Sequence, residues 1–162
     1  KLPQGLHSFG GVQCDVRGII QLNGQSAQES LTIRFPQAMK GIKVERTARQ
    51  LHFLHATAWP ESDGTRIGTY VVHYADGESE EIPIVYGRHV RDWWTQNDEI
   101  SSSELNVVWT GKNQSSQDGK PAIRLFKTTW ENPRPDARIT AVDYLSTMSQ
   151  SAPFMIALTV TP

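Results

Sequence analysis

A period-two alternation of apolar and polar residues runs along most of this chain, broken by turn residues roughly every ten positions. Alternation of that period puts one set of side chains on one face of a strand, and such regular breaks mark an antiparallel sandwich or barrel. Val16 to Leu22 reads as a strand bent at Gly18, since glycine inside a strand marks a bulge or bend. Leu31, Ile33 and Phe35 alternate with Thr32 and Arg34 until Pro36 ends the run. Leu51 to Ala58 is almost continuously apolar and predicts a central strand buried on both faces. Further strands are expected over Glu104 to Trp109, Ala122 to Thr129, Ala137 to Leu145 and Phe154 to Thr161. In the last, Phe154, Ile156, Leu158 and Val160 would share one face. Ser101 to Ser103 and Asn113 to Gly119 read as exposed polar stretches, and Val90 to Gln96 allows one short helical turn.

The strongest local signal is a hairpin: Thr69 to Ala75, then Asp76-Gly77, then Glu78 to Tyr86. Asp-Gly suits a two-residue type I′ turn, whose central positions both need positive φ. That turn sets Val71 opposite Ile82 and His73 opposite Glu80. One face would then hold Val71, Ile82 and Ile84, and the other Tyr70, Val72, Tyr74 and Val85. Pro83 has no N–H to give to a ladder, so its strand lies at a sheet edge or bulges there.

With 162 residues the chain has the size of a single domain over 1–162, enough to bury a core without staples. Its 38% hydrophobic and 20% charged residues fit neither a disordered chain nor a membrane protein. The net charge of −1 gives no footprint for nucleic acid or for an anionic membrane. Cys14 is the only cysteine, which excludes an intrachain disulfide. The longest apolar run, Ala152 to Val160, is far short of the ~20 residues of a membrane span. A start at Lys1 rather than methionine reads as a piece excised from a larger protein.

Two loops concentrate chemistry. Tyr86-Gly-Arg-His-Val-Arg-Asp-Trp-Trp94 gathers Tyr86, Arg88, Arg91, Asp92, Trp93 and Trp94. Trp130, Asn132 and Arg134 crowd a second loop stiffened by Pro133 and Pro135. Trp59 follows the central strand. Indole faces stack on the apolar C–H faces of sugar rings, and arginine, aspartate and asparagine bond to hydroxyls. Against that stands a plain structural role: an indole plugging the end of the sandwich, Arg91 and Asp92 as a solvated pair, Asn132 and Asp136 as turn caps. Adjacent strand residues point oppositely, so Trp93 and Trp94 should lie one in and one out.

Other chemistry has less support. His52 and His55 are three apart, which on a strand sends them to opposite faces, so they cannot share a metal and read as core histidines. His73 is expected to pair with Glu80. Glu131, Asp136 and Asp92 lie near aromatics, but no spacing singles out a catalytic pair, and Glu78, Glu80 and Glu81 read as a solvated strand. The chain has no G-x-S-x-G, P-loop or dinucleotide fingerprint. No catalytic residue is assigned and no cofactor is expected. A structural calcium is an option, with Asp15, Asp63, Glu131 and Asp143 as candidate ligands.

The stretches RQLHFLHATAW, GTYVVHYADGESEEIPIVYGRHVRDWW and AIRLFKTTWENPRPDARITAVDYLS resemble accessory β-sandwich domains of large bacterial proteins. Those domains are attached to glycosidases or to regulatory and surface proteins, and look like the galactose-binding-domain-like jelly roll shared by many carbohydrate-binding modules. The resemblance covers residues 10 to 160 and implies an all-β antiparallel jelly-roll sandwich that is not an enzyme. It implies a polysaccharide or oligosaccharide partner, a covalently linked catalytic domain, and a secreted, cell-surface or periplasmic bacterial setting. Two other readings stand beside it: a structural or protein-interaction sandwich, and a small glycoside hydrolase or lyase. Fold alone does not choose among them.

Overall fold

A computed structural model describes residues 2–95, 105–112 and 122–162. The fold is all-β, with antiparallel sheets in a sandwich-like arrangement. In chain order the elements are β1 (Gly5–Phe9), β2 (Val12–Val16), β3 (Ile20–Gln21), α1 (Gln25–Ser30), β4 (Ala38–Arg46), β5 (Gln50–Ala58), β6 (Arg66–Tyr74), β7 (Ser79–Val85), β8 (Val107–Gly111), β9 (Ile123–Glu131), β10 (Ile139–Ser146) and β11 (Ala152–Thr161). One sheet has the order β4-β10-β6-β7 and the other β3-β11-β5-β9-β8, while β1 and β2 form a separate hairpin.

The central strand is where the apolar run places it. β5 lies between β11 and β9, and Leu51 to Thr57 are all buried. Its two faces do different work. Phe53 stacks on Tyr70 of the facing sheet, centroids 3.8 Å apart, and Tyr70 stacks in turn on Tyr144. His55 joins the two sheets, with Nδ1 bonded to the Tyr70 hydroxyl and Nε2 to Thr128 Oγ1, each at 2.8 Å. Burial pushes His55 down to about 3, so the ring is neutral and offers one donor and one acceptor to these two hydroxyls. His52 points the other way, to Thr129 and Thr161, as strand parity requires. On that outer side the β1–β2 hairpin is tied down by Thr159 Oγ1 donating to Gln13 C=O (2.9 Å) and Lys127 Nζ donating to Gly10 C=O (2.6 Å).

The β6–β7 hairpin forms, but one residue out of the expected register. Val71 pairs with Glu81, Tyr70 with Ile82 and His73 with Ser79. Gly77 N–H donates back to Tyr74 C=O, and Tyr74 N–H to Glu78 C=O, so Ala75 also belongs to the loop. Only Gly77 takes a positive φ, of 90°; this is a three-residue loop rather than a type I′ turn. A one-residue slip exchanges faces. Tyr70, Val72, Tyr74, Ile82 and Ile84 are therefore buried together, and Val71 is not with them. His73 Nε2 meets Asp143 Oδ2 at 2.8 Å instead of Glu80. β7 is an edge strand, which accommodates Pro83.

Other expectations are corrected. Val16 to Leu22 is not one strand, because β2 ends at Val16 and β3 holds only Ile20–Gln21. Leu31, Ile33 and Phe35 form no strand; they follow α1, and Arg34 donates to the Gln28 and Leu31 carbonyls at the helix end. A register shift between Met155 and Ala157 in β11 moves Leu158 to the face opposite Phe154. Within Val90 to Gln96 the described residues are extended rather than helical. Gln96, Ser101 to Ser103, Glu104 and Asn113 to Gly119 lie outside the described residues.

Candidate functional site

The tryptophan segment is built into a sheet. β5 and β9 pair as far as His55 and Phe126 and then diverge. Residues 92–94 fill the gap, Asp92 pairing in parallel with Thr57 and Trp94 antiparallel with Ile123. Trp93 N–H donates to Thr57 C=O and Trp93 C=O accepts from Arg124 N–H, both at 2.8 Å. The Arg124 side chain also donates to Asp92 C=O at 3.0 Å. A bend at Trp93 changes what strand parity would dictate: Trp93 and Trp94 are both half-buried and pack edge to face at 5.6 Å. The one-in, one-out expectation is thus corrected. Trp93 also sets its edge on Phe154 of β11, centroids 5.5 Å apart.

Trp59 joins them. It leaves β5 with φ of 63°, left-handed backbone that costs a bulky residue roughly 1–2 kcal/mol and persists only where the surroundings enforce it. Ser151 Oγ donates to the Trp59 carbonyl at 2.8 Å and fixes this turn. The three indoles, with Asp92, Gln21, Leu31, Phe35, Ala58 and Pro60, line an open groove of about 460 Å³ at the Ala58 end of β5. Sequence reasoning found the tryptophans and Asp92 but missed the opposite wall, because Leu31 and Phe35 read as alternating strand residues.

Neighbouring candidates brace the groove. Tyr86 is buried, and its hydroxyl accepts from Asp92 N–H at 3.2 Å. Arg91 is buried over the Tyr86 ring and ion-pairs with Asp63 at 2.8 Å. Asp63 packs where a Cβ on Gly87 would sit, 2.6 Å away, and Gly87 has φ of 83°, so only glycine fits there. Asp92 Oδ1 accepts from Trp94 N–H at 3.2 Å. Arg88 is exposed and lines a different groove, with His89, Leu105, Asn106, Lys127, Thr128 and Thr129.

The second loop lies at the other end of β5, where Gln50 pairs with Glu131. Asn132 is buried; its Nδ2 donates to Ala48 C=O (2.7 Å) and Arg134 C=O (3.0 Å), and its Oδ1 accepts from Tyr74 OH (2.6 Å) and Arg134 N–H (2.9 Å). The Arg134 guanidinium lies 4.4 Å over the Tyr74 ring and is paired with Asp76. Trp130 packs against the core. Trp130, Asn132 and Arg134 are thus not brought together with Trp59, Trp93 and Trp94.

The calcium candidates are dispersed. Asp15 bonds Arg17, Asp63 bonds Arg91, Glu131 bonds Gln50, and Asp143 accepts from Gly41 N–H and His73. Among the described residues no three His, Cys, Asp or Glu side chains form a metal-ligand group. No helix among them is long and apolar enough to cross a membrane. Comparison with known proteins gives no match, either to a protein-family model or to a curated protein.

Proposed function

We propose that this domain is a non-catalytic carbohydrate-binding module whose groove stacks sugar rings on Trp59, Trp93 and Trp94, and that it holds a linked enzyme near a polysaccharide outside the cell. The observation that carries the reading is the convergence of these three part-exposed indoles on one open, mostly apolar groove. Large flat faces held by backbone pairing lose little entropy on binding, which suits the weakly polar faces of sugars. Arg91, Tyr86 and Asp92 act as positioning residues for the aromatic wall.

The strand order supports a galactose-binding-like jelly roll. With the β1–β2 hairpin and β8 set aside, the remaining eight strands, counted along the chain, run 2-7-4-5 in one sheet and 1-8-3-6 in the other. Each strand thus pairs with the one that would face it in a single long antiparallel ribbon, rolled over into two sheets.

A glycan array followed by tryptophan-fluorescence titration tests the function. The expected result is saturable binding of at least one plant, algal or microbial glycan, weakened by Trp59→Ala or Trp94→Ala. A silent array with a folded domain overturns it.

A further inference from the structure

The groove's hydrogen-bonding groups narrow the kind of sugar it would take. Indole N–H groups donate and cannot accept. Those of Trp59, Trp93 and Trp94 have no acceptor among the described residues, and none is a buried orphan, so they stay available to a ligand. Gln21 donates its amide N–H groups to the carbonyls of Leu22 (2.8 Å), Ala152 (3.1 Å) and Pro153 (3.3 Å). Its Oε1 accepts no hydrogen bond from the described residues, and Gln21 is part of the groove lining. Asp92 also lines the groove, but it is buried and its Oδ1 already accepts from Trp94 N–H; the remaining lining side chains, from Leu31, Phe35, Ala58 and Pro60, are apolar. Beyond Gln21 and the Asp92 carboxylate the described lining offers no side-chain acceptor, so a sugar rich in inward hydroxyls leaves some of them stripped of hydration without replacement.

We infer that the groove selects 2-acetamido sugars. Such a group offers a carbonyl to an indole N–H, an N–H to Gln21 Oε1, and a methyl to the Phe35 and Leu31 wall. The inference rests on the glycan reading above and adds the substituent that the groove recognises.

The test compares matched ligands on the full chain by fluorescence titration: chitotetraose against cellotetraose, which share linkage and differ at the acetamido position, and N-acetylgalactosamine against galactose. Binding of the acetamido member of at least one pair should be stronger by roughly tenfold or more, about the value of one or two matched hydrogen bonds. Trp59→Phe and Trp94→Phe keep a ring but remove an N–H; at least one should shrink that ratio while the non-acetylated sugar, or the residual binding, changes little. Gln21→Leu should shrink it as well. Equal binding within both pairs overturns the acetamido inference and leaves the glycan reading intact. An acetamido preference untouched by all three variants places recognition elsewhere and also overturns it. Binding to no glycan at all, by a domain that still melts cooperatively, overturns both.

Discussion

The two ends of β5 make an instructive pair. Each carries a loop with tryptophan and arginine, and in sequence the two look equally suited to a ligand. At the Gln50 end every polar group of Asn132 has a protein partner, and Arg134 is held between Tyr74 and Asp76. At the Ala58 end three indole N–H groups have no acceptor among the described residues, and Trp59 occupies strained backbone. One end has its polar capacity turned inward and the other has it turned outward. A loop's composition is therefore a weaker guide to binding than the count of what its polar atoms already hold.

The largest effect expected from breaking the contrast is at the closed end. Asn132→Ala removes partners from Tyr74 OH, the Ala48 carbonyl and the Arg134 N–H, and should cost roughly 3 kcal/mol in urea denaturation, with glycan affinity unchanged. Acid should act on the region between the ends. His55 is held down to about 3 in the folded state by burial and by His89, against about 6.5 when unfolded. The unfolded chain therefore takes up this proton first as pH falls, so stability is full above pH 6.5 and declines toward pH 3. Between pH 6.5 and 4.5 the loss should be roughly 2–3 kcal/mol, and His55→Gln should flatten that slope in parallel melts.

At the open end, Trp59→Ala should lower glycan affinity roughly tenfold in titration, as removing a central aromatic contact does. The smallest expected effect sharpens the comparison most. Trp59→Gly removes the ring but relieves the left-handed backbone, so its thermal midpoint should correspond to wild-type stability within about 1 kcal/mol while affinity falls as it does in Trp59→Ala. A large destabilisation by Trp59→Gly would make the Ala58 end a structural plug like its counterpart.

Much of the fold is legible in the residues. β5 stands out because both its faces are buried and its apolar run is interrupted only by His52, His55 and Thr57. The β6–β7 hairpin stands out through Asp76-Gly77, but Ala75 carries no turn signal, and that one residue reversed the expected faces. β4 was hidden because an edge strand with Lys40, Lys43 and Arg46 exposed shows only Ala38, Ile42 and Val44 half-buried. α1 was hidden because Ala27 is its only buried residue. The indoles of the groove were visible as residue types. Which loops share an end was not, because that depends on pairings such as Gln50 with Glu131, between positions far apart in the chain.

The pairing of residues 92–94 with Thr57 and Ile123 has a consequence for how such a domain can diversify. An insertion in that segment would break the ladder that carries it, whereas the stretch 31–35 belongs to no strand, with the backbone tied to described residues outside α1 only from Pro36 and Gln37 onward, and should accept changes of side chain and length more readily. One wall behaves as a fixed anvil. New ligand preferences would be hammered out on the other, around Leu31 and Phe35.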